Sequence, residues 1–137
     1  MISSKVFLNF IIHAKLIPRN PPPGNLNLPI IERLVRAYEI WHEFTVHIPK
    51  ISRYTLGDKI DSLFIETIES VYTAIFLPRD KKYPYIEQAA AKLNLAKFFL
   101  EIAWRIKSLD NKKYIILSEP LDEIGKMLGG WLRQLSK

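Results

Sequence analysis

The chain has 137 residues, 48% of them hydrophobic and 25% charged, with a formal net charge of +6 and no cysteine. That composition fits a single globular domain large enough for its own core, and it excludes disulfides and cysteine-ligated zinc or iron–sulfur centres. No apolar run approaches the roughly 18 residues a membrane span needs, and the lack of cysteine fits a reducing cytoplasm.

The start, "MISSKVFLNFIIHAK", has a lysine followed by an apolar stretch, Val6 to Ile12, as a secretory signal would. The stretch is short, Asn9 interrupts it, and no small-x-small cleavage site follows. "IPRNPPPGNLNLP" then holds five of the nine prolines, which favour extended backbone. Residues 1–27 are therefore expected to form an irregular or disordered N-terminal extension, and 28–137 the folded domain. Lys5, Lys15 and Arg19 give the extension +3 of the net +6.

Helical periodicity begins after Pro29, a residue suited to a first helical turn. Ile31, Leu34, Tyr38, Trp41, Thr45 and Ile48 recur at three- and four-residue steps, and the pattern stops at Pro49. A second pattern comprises Leu56, Ile60, Leu63, Ile68, Val71 and Ile75 and stops at Pro78. Thr55 and Asp58 have capping-box spacing for its start, with Ser52 as the alternative cap. Gly57, early in this helix, is a place where a neighbour can approach closely.

"PRDKKYPY" reads as a polar, basic turn, with a third helix opening near Pro84 and running to about Leu109. Its seam is Ala89, Leu93, Ala96, Leu100, Ala103 and Ile106. "DNKK" interrupts it. Leu117, Leu121, Ile124, Leu128, Trp131 and Leu135 follow at 4-3-4-3-4 spacing, the seam of a bundle helix with Pro120 in its first turn or marking its start. The expected fold is all-α, an antiparallel up-down four-helix bundle. The second and third helices carry wider apolar faces than one core needs, which suits self-association or a fatter core.

Catalytic motifs are weak. Glu39-x-x-His42 matches half of a di-iron bundle signature, but no second copy accompanies it. His42 and His47 in "HEFTVH" are five apart, about 140° around a helix, and cannot share one zinc. Arg36 and His42 fit a loose ribonuclease spacing, but within the first helix rather than a late one. No nucleophile elbow and no phosphate-cradling glycine loop is present. The chain is not expected to be an enzyme, and no metal or other cofactor is implied.

Gly125, Gly129 and Gly130 lie within six residues of a helical stretch, where each costs about 1 kcal/mol relative to alanine. They suggest close approach of another backbone, with Trp131 filling space beside it. An early end to the helix is the rival explanation.

The cations fall into groups. Lys50, Arg53 and Lys59 surround the first corner, Arg79, Lys81 and Lys82 the second, and Lys112 and Lys113 the third. Lys92, Arg105 and Lys107 lie along the third helix. In an antiparallel bundle the first and third corners share an end, so Lys50, Arg53, Lys112 and Lys113 are placed to converge. Tyr54, Tyr83, Tyr85 and Tyr114 beside them suit base stacking or capping of the core.

"AYEIWHEFTVHIPKISRYTLGDKID", "LPRDKK", "LNLAKFFLEIAWRIKSLDNKKY" and "LDEIGKMLGGWLRQL" together resemble the Avd-like four-helix-bundle family. It comprises the accessory variability determinant of diversity-generating retroelements and relatives encoded in ribosomal-RNA intervening sequences. The resemblance spans about residues 28–136. It implies a non-enzymatic, homopentameric accessory protein that binds a reverse transcriptase and RNA or DNA during mutagenic copying of a template. On charge and position, the contacts would fall to Lys50, Arg53, Arg79, Lys81, Lys82, Arg105, Lys112 and Lys113. The alternative is a structural, self-associating interaction module with no nucleic-acid role.

Overall fold

The computed structural model describes residues 27–137, with side chains from Pro29 onward; the expected N-terminal extension lies outside that range. Among the described residues the secondary structure is entirely helical. Four long helices dominate: α1 (Asn27–Thr45), α2 (Asp58–Ile75), α3 (Arg79–Arg105) and α4 (Asn111–Leu135). Each packs on its neighbours in sequence, and α1 also packs on α4, closing a ring around one core.

The apolar seams meet at that core. Ile31, Leu34, Trp41, Ile60, Phe64, Ile86, Leu93, Leu100, Leu117, Leu121, Ile124 and Leu128 are almost completely buried. Trp41 stacks on Phe64, and its indole N–H donates to Asp61 Oδ1 at 3.2 Å. Asp61 also lies close to the Tyr38 hydroxyl. Burial, then that carboxylate, pushes the hydroxyl pKa up to about 12. Cross-helix pairs run in reverse order: Glu66 meets Lys92 and Ser70 meets Gln88, while Trp104 meets Tyr114 and Lys97 meets Asp122.

The corners differ from the sequence expectation in detail. α1 ends at Thr45, four residues before Pro49, and after Pro49 a one-turn helix (Lys50–Ser52) and a π-helical stretch (Arg53–Gly57) lead into α2. The Thr55–Asp58 capping box does not form; Thr55 Oγ1 donates back to the Ser52 carbonyl at 3.4 Å. No neighbour crowds Gly57, where a Cβ would lie 3.6 Å from the Ser52 carbonyl oxygen.

"PRDKKYPY" is not a turn. α3 starts at Arg79, directly after Pro78, with Pro84 inside it. Lys82 allows this tight junction: its ammonium donates to the carbonyls of Ala74 (2.7 Å), which also accepts from the Leu77 N–H, and Ile75 (3.1 Å), at the end of α2.

α3 ends at Arg105 rather than Leu109. The Ser108 N–H bonds the Ala103 carbonyl and the Lys107 N–H bonds the Trp104 carbonyl, a Schellman arrangement with Lys107 at φ 64°. "DNKK" then opens α4: Asp110 Oδ1 accepts from the Lys113 N–H at 2.8 Å, an N-cap. Pro120 therefore lies inside α4, not in its first turn.

Candidate nucleic-acid interface

The first and third corners occupy the same end of the bundle. Ser52 and Ser108 hydrogen-bond through their hydroxyls at 2.8 Å, and the Lys113 ammonium sits 5.8 Å from the centre of the Phe44 ring. Residues 46–59 carry three basic and one acidic side chain, and residues 105–113 carry four and one. These two segments therefore hold a net +5, although residues 29–137 as a whole carry only +3 from 17 basic and 14 acidic groups. The remainder of the bundle is slightly acidic. Local excess of this kind, more than the total, concentrates an anionic ligand at a surface.

Not every cation at this end is equally available. Lys50 and Lys112 are exposed, and among the described residues neither side chain is hydrogen-bonded or ion-paired. Arg53 turns inward: its Nη2 donates to the carbonyls of Val46 (3.2 Å) and Ile48 (3.0 Å), closing the end of the α1 segment. Its Nε is buried without a partner among the described residues. Lys113 binds Asp110 Oδ2 at 2.8 Å, and this bond holds the Asp110 carboxyl below the usual carboxylate range. Arg105 pairs with Glu101 at 2.7 Å, one turn earlier on α3.

At the opposite end the expected cations are mostly structural. Lys82 is buried and spent on α2 carbonyls; desolvation lowers its pKa, and it offers no surface to a ligand. Arg79 Nη2 donates to the Gln134 carbonyl at 2.5 Å, tying the start of α3 to the end of α4. Lys81 is exposed. The eight residues thus divide between two ends, three at one and five, Lys50, Arg53, Arg105, Lys112 and Lys113, at the other.

Gly125, Gly129 and Gly130 are half-buried, and α4 continues through them to Leu135, so they do not end the helix. No other backbone approaches them among the described residues. A Cβ at Gly125 would meet the Leu93 side chain at 3.8 Å; at Gly129 and Gly130 it would meet only Arg133, at 3.6 and 3.7 Å. Gly125 and Gly129 instead line an open groove of about 400 Å³ between α3 and α4, with Lys97 and Asp122 on its wall. Trp131 is buried in the core.

Sequence reasoning passed over three features of the positive end. Ile51, Val46 and Ile106 are strongly exposed aliphatics, at 87%, 68% and 56%. Trp104 stacks on Tyr114 with ring centroids 5.0 Å apart, yet remains 37% exposed. Lys107 lies in the exposed corner after α3, not on the helix. A charge count taken corner by corner would have marked this end; the exposures needed the backbone.

His42 stacks on Tyr38, and both Arg36 and His42 are exposed. Burial raises the Glu39 carboxyl pKa despite nearby Arg36. Among the described residues no three His, Asp or Glu side chains are grouped to hold a metal ion, and no helix is long and apolar enough to cross a membrane.

Neither the curated proteins nor the solved structures give a match to the chain. The bAvd-like family model does, over residues 29–135, and that range takes in all four seams, the π-helical corner and both groups of cations. With this match extending over nearly the whole described bundle, the chain belongs to the bAvd-like family.

Proposed function

We propose that the protein is a non-enzymatic accessory factor of a diversity-generating retroelement: a cytoplasmic homo-oligomer, a pentamer on the family resemblance, that binds a reverse transcriptase and its template RNA or cDNA. Its domain, residues 28–137, is read as an antiparallel up-down bundle carrying an irregular extension. Membership of the bAvd-like family supports the accessory role. The observation that carries the nucleic-acid part is the net +5 on residues 46–59 and 105–113, at one end of an otherwise slightly acidic bundle. Lysines there would displace counterions from phosphates, so affinity would fall steeply with salt.

The test is a titration of labelled RNA and DNA at several salt concentrations. Replacing Lys50 and Lys112 by Gln is expected to flatten the dependence of log affinity on log salt by about 1.4 for single strands. An unchanged slope would remove these lysines from the contact surface. Co-purification with a co-expressed reverse transcriptase tests the protein partner.

A second reading has its own support. Ala91, Leu95, Phe98 and Ile102 repeat at 4-3-4 spacing along α3, and the first three are exposed, Phe98 at 54%. A seam outside the core suits a structural module that only self-associates. An assembled particle without affinity for RNA or DNA would favour it.

A further inference from the structure

We propose that the positive end is a single-strand site, in which the Trp104–Tyr114 stack receives an unpaired base and Lys107 takes an adjacent phosphate. The proposal rests on the nucleic-acid reading above and narrows it to one ligand form and one set of residues.

The first observation is the stack itself. The two rings lie within 10° of parallel, and the Trp104 indole N–H is held by Asn111 Oδ1 at 2.5 Å. The indole is thus held by a ring contact and a hydrogen bond, yet more than a third of the Trp104 surface stays open to solvent. An aromatic kept flat, ordered and exposed is what base stacking requires. It has no counterpart in duplex recognition, where the bases are already stacked on one another.

The second observation is independent of the first. Lys107 occupies the left-handed position of the α3 terminus, at φ 64°, where glycine is the unstrained choice. The chain places a cation there instead. It lies three residues after Trp104 and is exposed. The strain is accounted for if the ammonium has a task outside the fold.

The surroundings agree. Arg105 follows Trp104, Lys112 follows Asn111, and the nearby carboxylates of Glu101 and Asp110 are already paired with Arg105 and Lys113. Tyr54, 63% exposed on the π-helical corner, is a further aromatic at the same end, since Ser52 joins that corner to Ser108.

The experiment uses the full chain with a labelled RNA of about 16 nucleotides, the upper site size for a compact single-strand module, and with the same sequence as a duplex. Single-strand binding is expected to exceed duplex binding by about tenfold. Trp41 and Trp131 are buried, so quenching of tryptophan emission on binding reports Trp104. Trp104→Leu should abolish the quenching and weaken single-strand binding about tenfold, leaving duplex binding unchanged. Lys107→Gly, which suits the backbone and needs no refolding, should lower the single-strand salt slope by about 0.7. Equal affinity for both forms, or an unaltered affinity in Trp104→Leu, would overturn this site while leaving the broader binding reading intact. Failure of both forms to bind would overturn the two together and leave the exposed aliphatic end as a protein-docking surface.

Discussion

The two ends of this bundle use the same residue type in opposite ways. At the α2–α3 corner, Lys82 folds inward onto the carbonyls of Ala74 and Ile75, and Arg79 bridges to the Gln134 carbonyl. At the other end Lys50, Lys107 and Lys112 point to solvent, beside exposed Ile51, Val46 and Trp104. One end spends Lys82 and Arg79 on helix termini and leaves Lys81 exposed; the other ties down Arg53 but keeps several cations free. Formal charge alone does not separate the two cases, because an ammonium satisfied by backbone oxygens still counts as one positive charge. What separates them, residue by residue, is whether carbonyls at the end of a helix or in its corner lie within reach, as they do for Lys82, Arg79 and Arg53.

The sharpest way to break this contrast is to remove an ammonium from each end while keeping the aliphatic stem. Lys82→Met should cost about 2 kcal/mol in chemical denaturation, because the Ala74 and Ile75 carbonyls lose a charged donor. Lys112→Met should stay within about 0.5 kcal/mol of the parent. Equal effects would show that the ends do not differ as described. A smaller change of opposite sign is expected at Lys107. Glycine there relieves the left-handed strain and should raise stability by about 0.5 kcal/mol in thermal unfolding, even as it weakens binding.

The smallest effect is acidification. The Asp110 pKa is lowered by its bonds from Lys113, so its stabilisation is present above the unfolded carboxylate pKa and is lost as pH falls through the folded value. The Lys113 amide resonance should therefore move at low pH as the α4 cap opens. The Phe76 and Leu77 amides, where no carboxylate cap is involved, should not follow it; parallel movement would mean that the ends are not independent.

Much of the fold was legible because burial imposes a period. Leu117, Leu121, Ile124, Leu128 and Trp131 were read from spacing and are all buried, as are Ala89, Leu93, Ala96, Leu100 and Ala103. Ile106, next on that seam, is exposed because the helix has already ended in its Schellman turn. Helix boundaries were misplaced where proline misled. Pro84 and Pro120 lie within α3 and α4, and the true starts depend on the Lys82 and Asp110 side chains, which periodicity does not register. The candidate site was legible as a set of basic residues but not as a surface. Nothing in "SRY" says that Arg53 turns back to Val46 and Ile48 while Tyr54 points outward. That choice comes from the π-helical backbone, which shifts the register of the corner against both flanking helices.

The Ser52–Ser108 pair has one more consequence. The two corners of the positive end are joined by neutral hydroxyls, with Ser52 buried, rather than by an ion pair. Counterions do not screen such a bond, and neither hydroxyl titrates in the ordinary range. The spacing between the corners is thus insulated from ionic strength, even though any phosphate held there is not. Raising the salt should release a bound strand from an end whose shape is the same before and after.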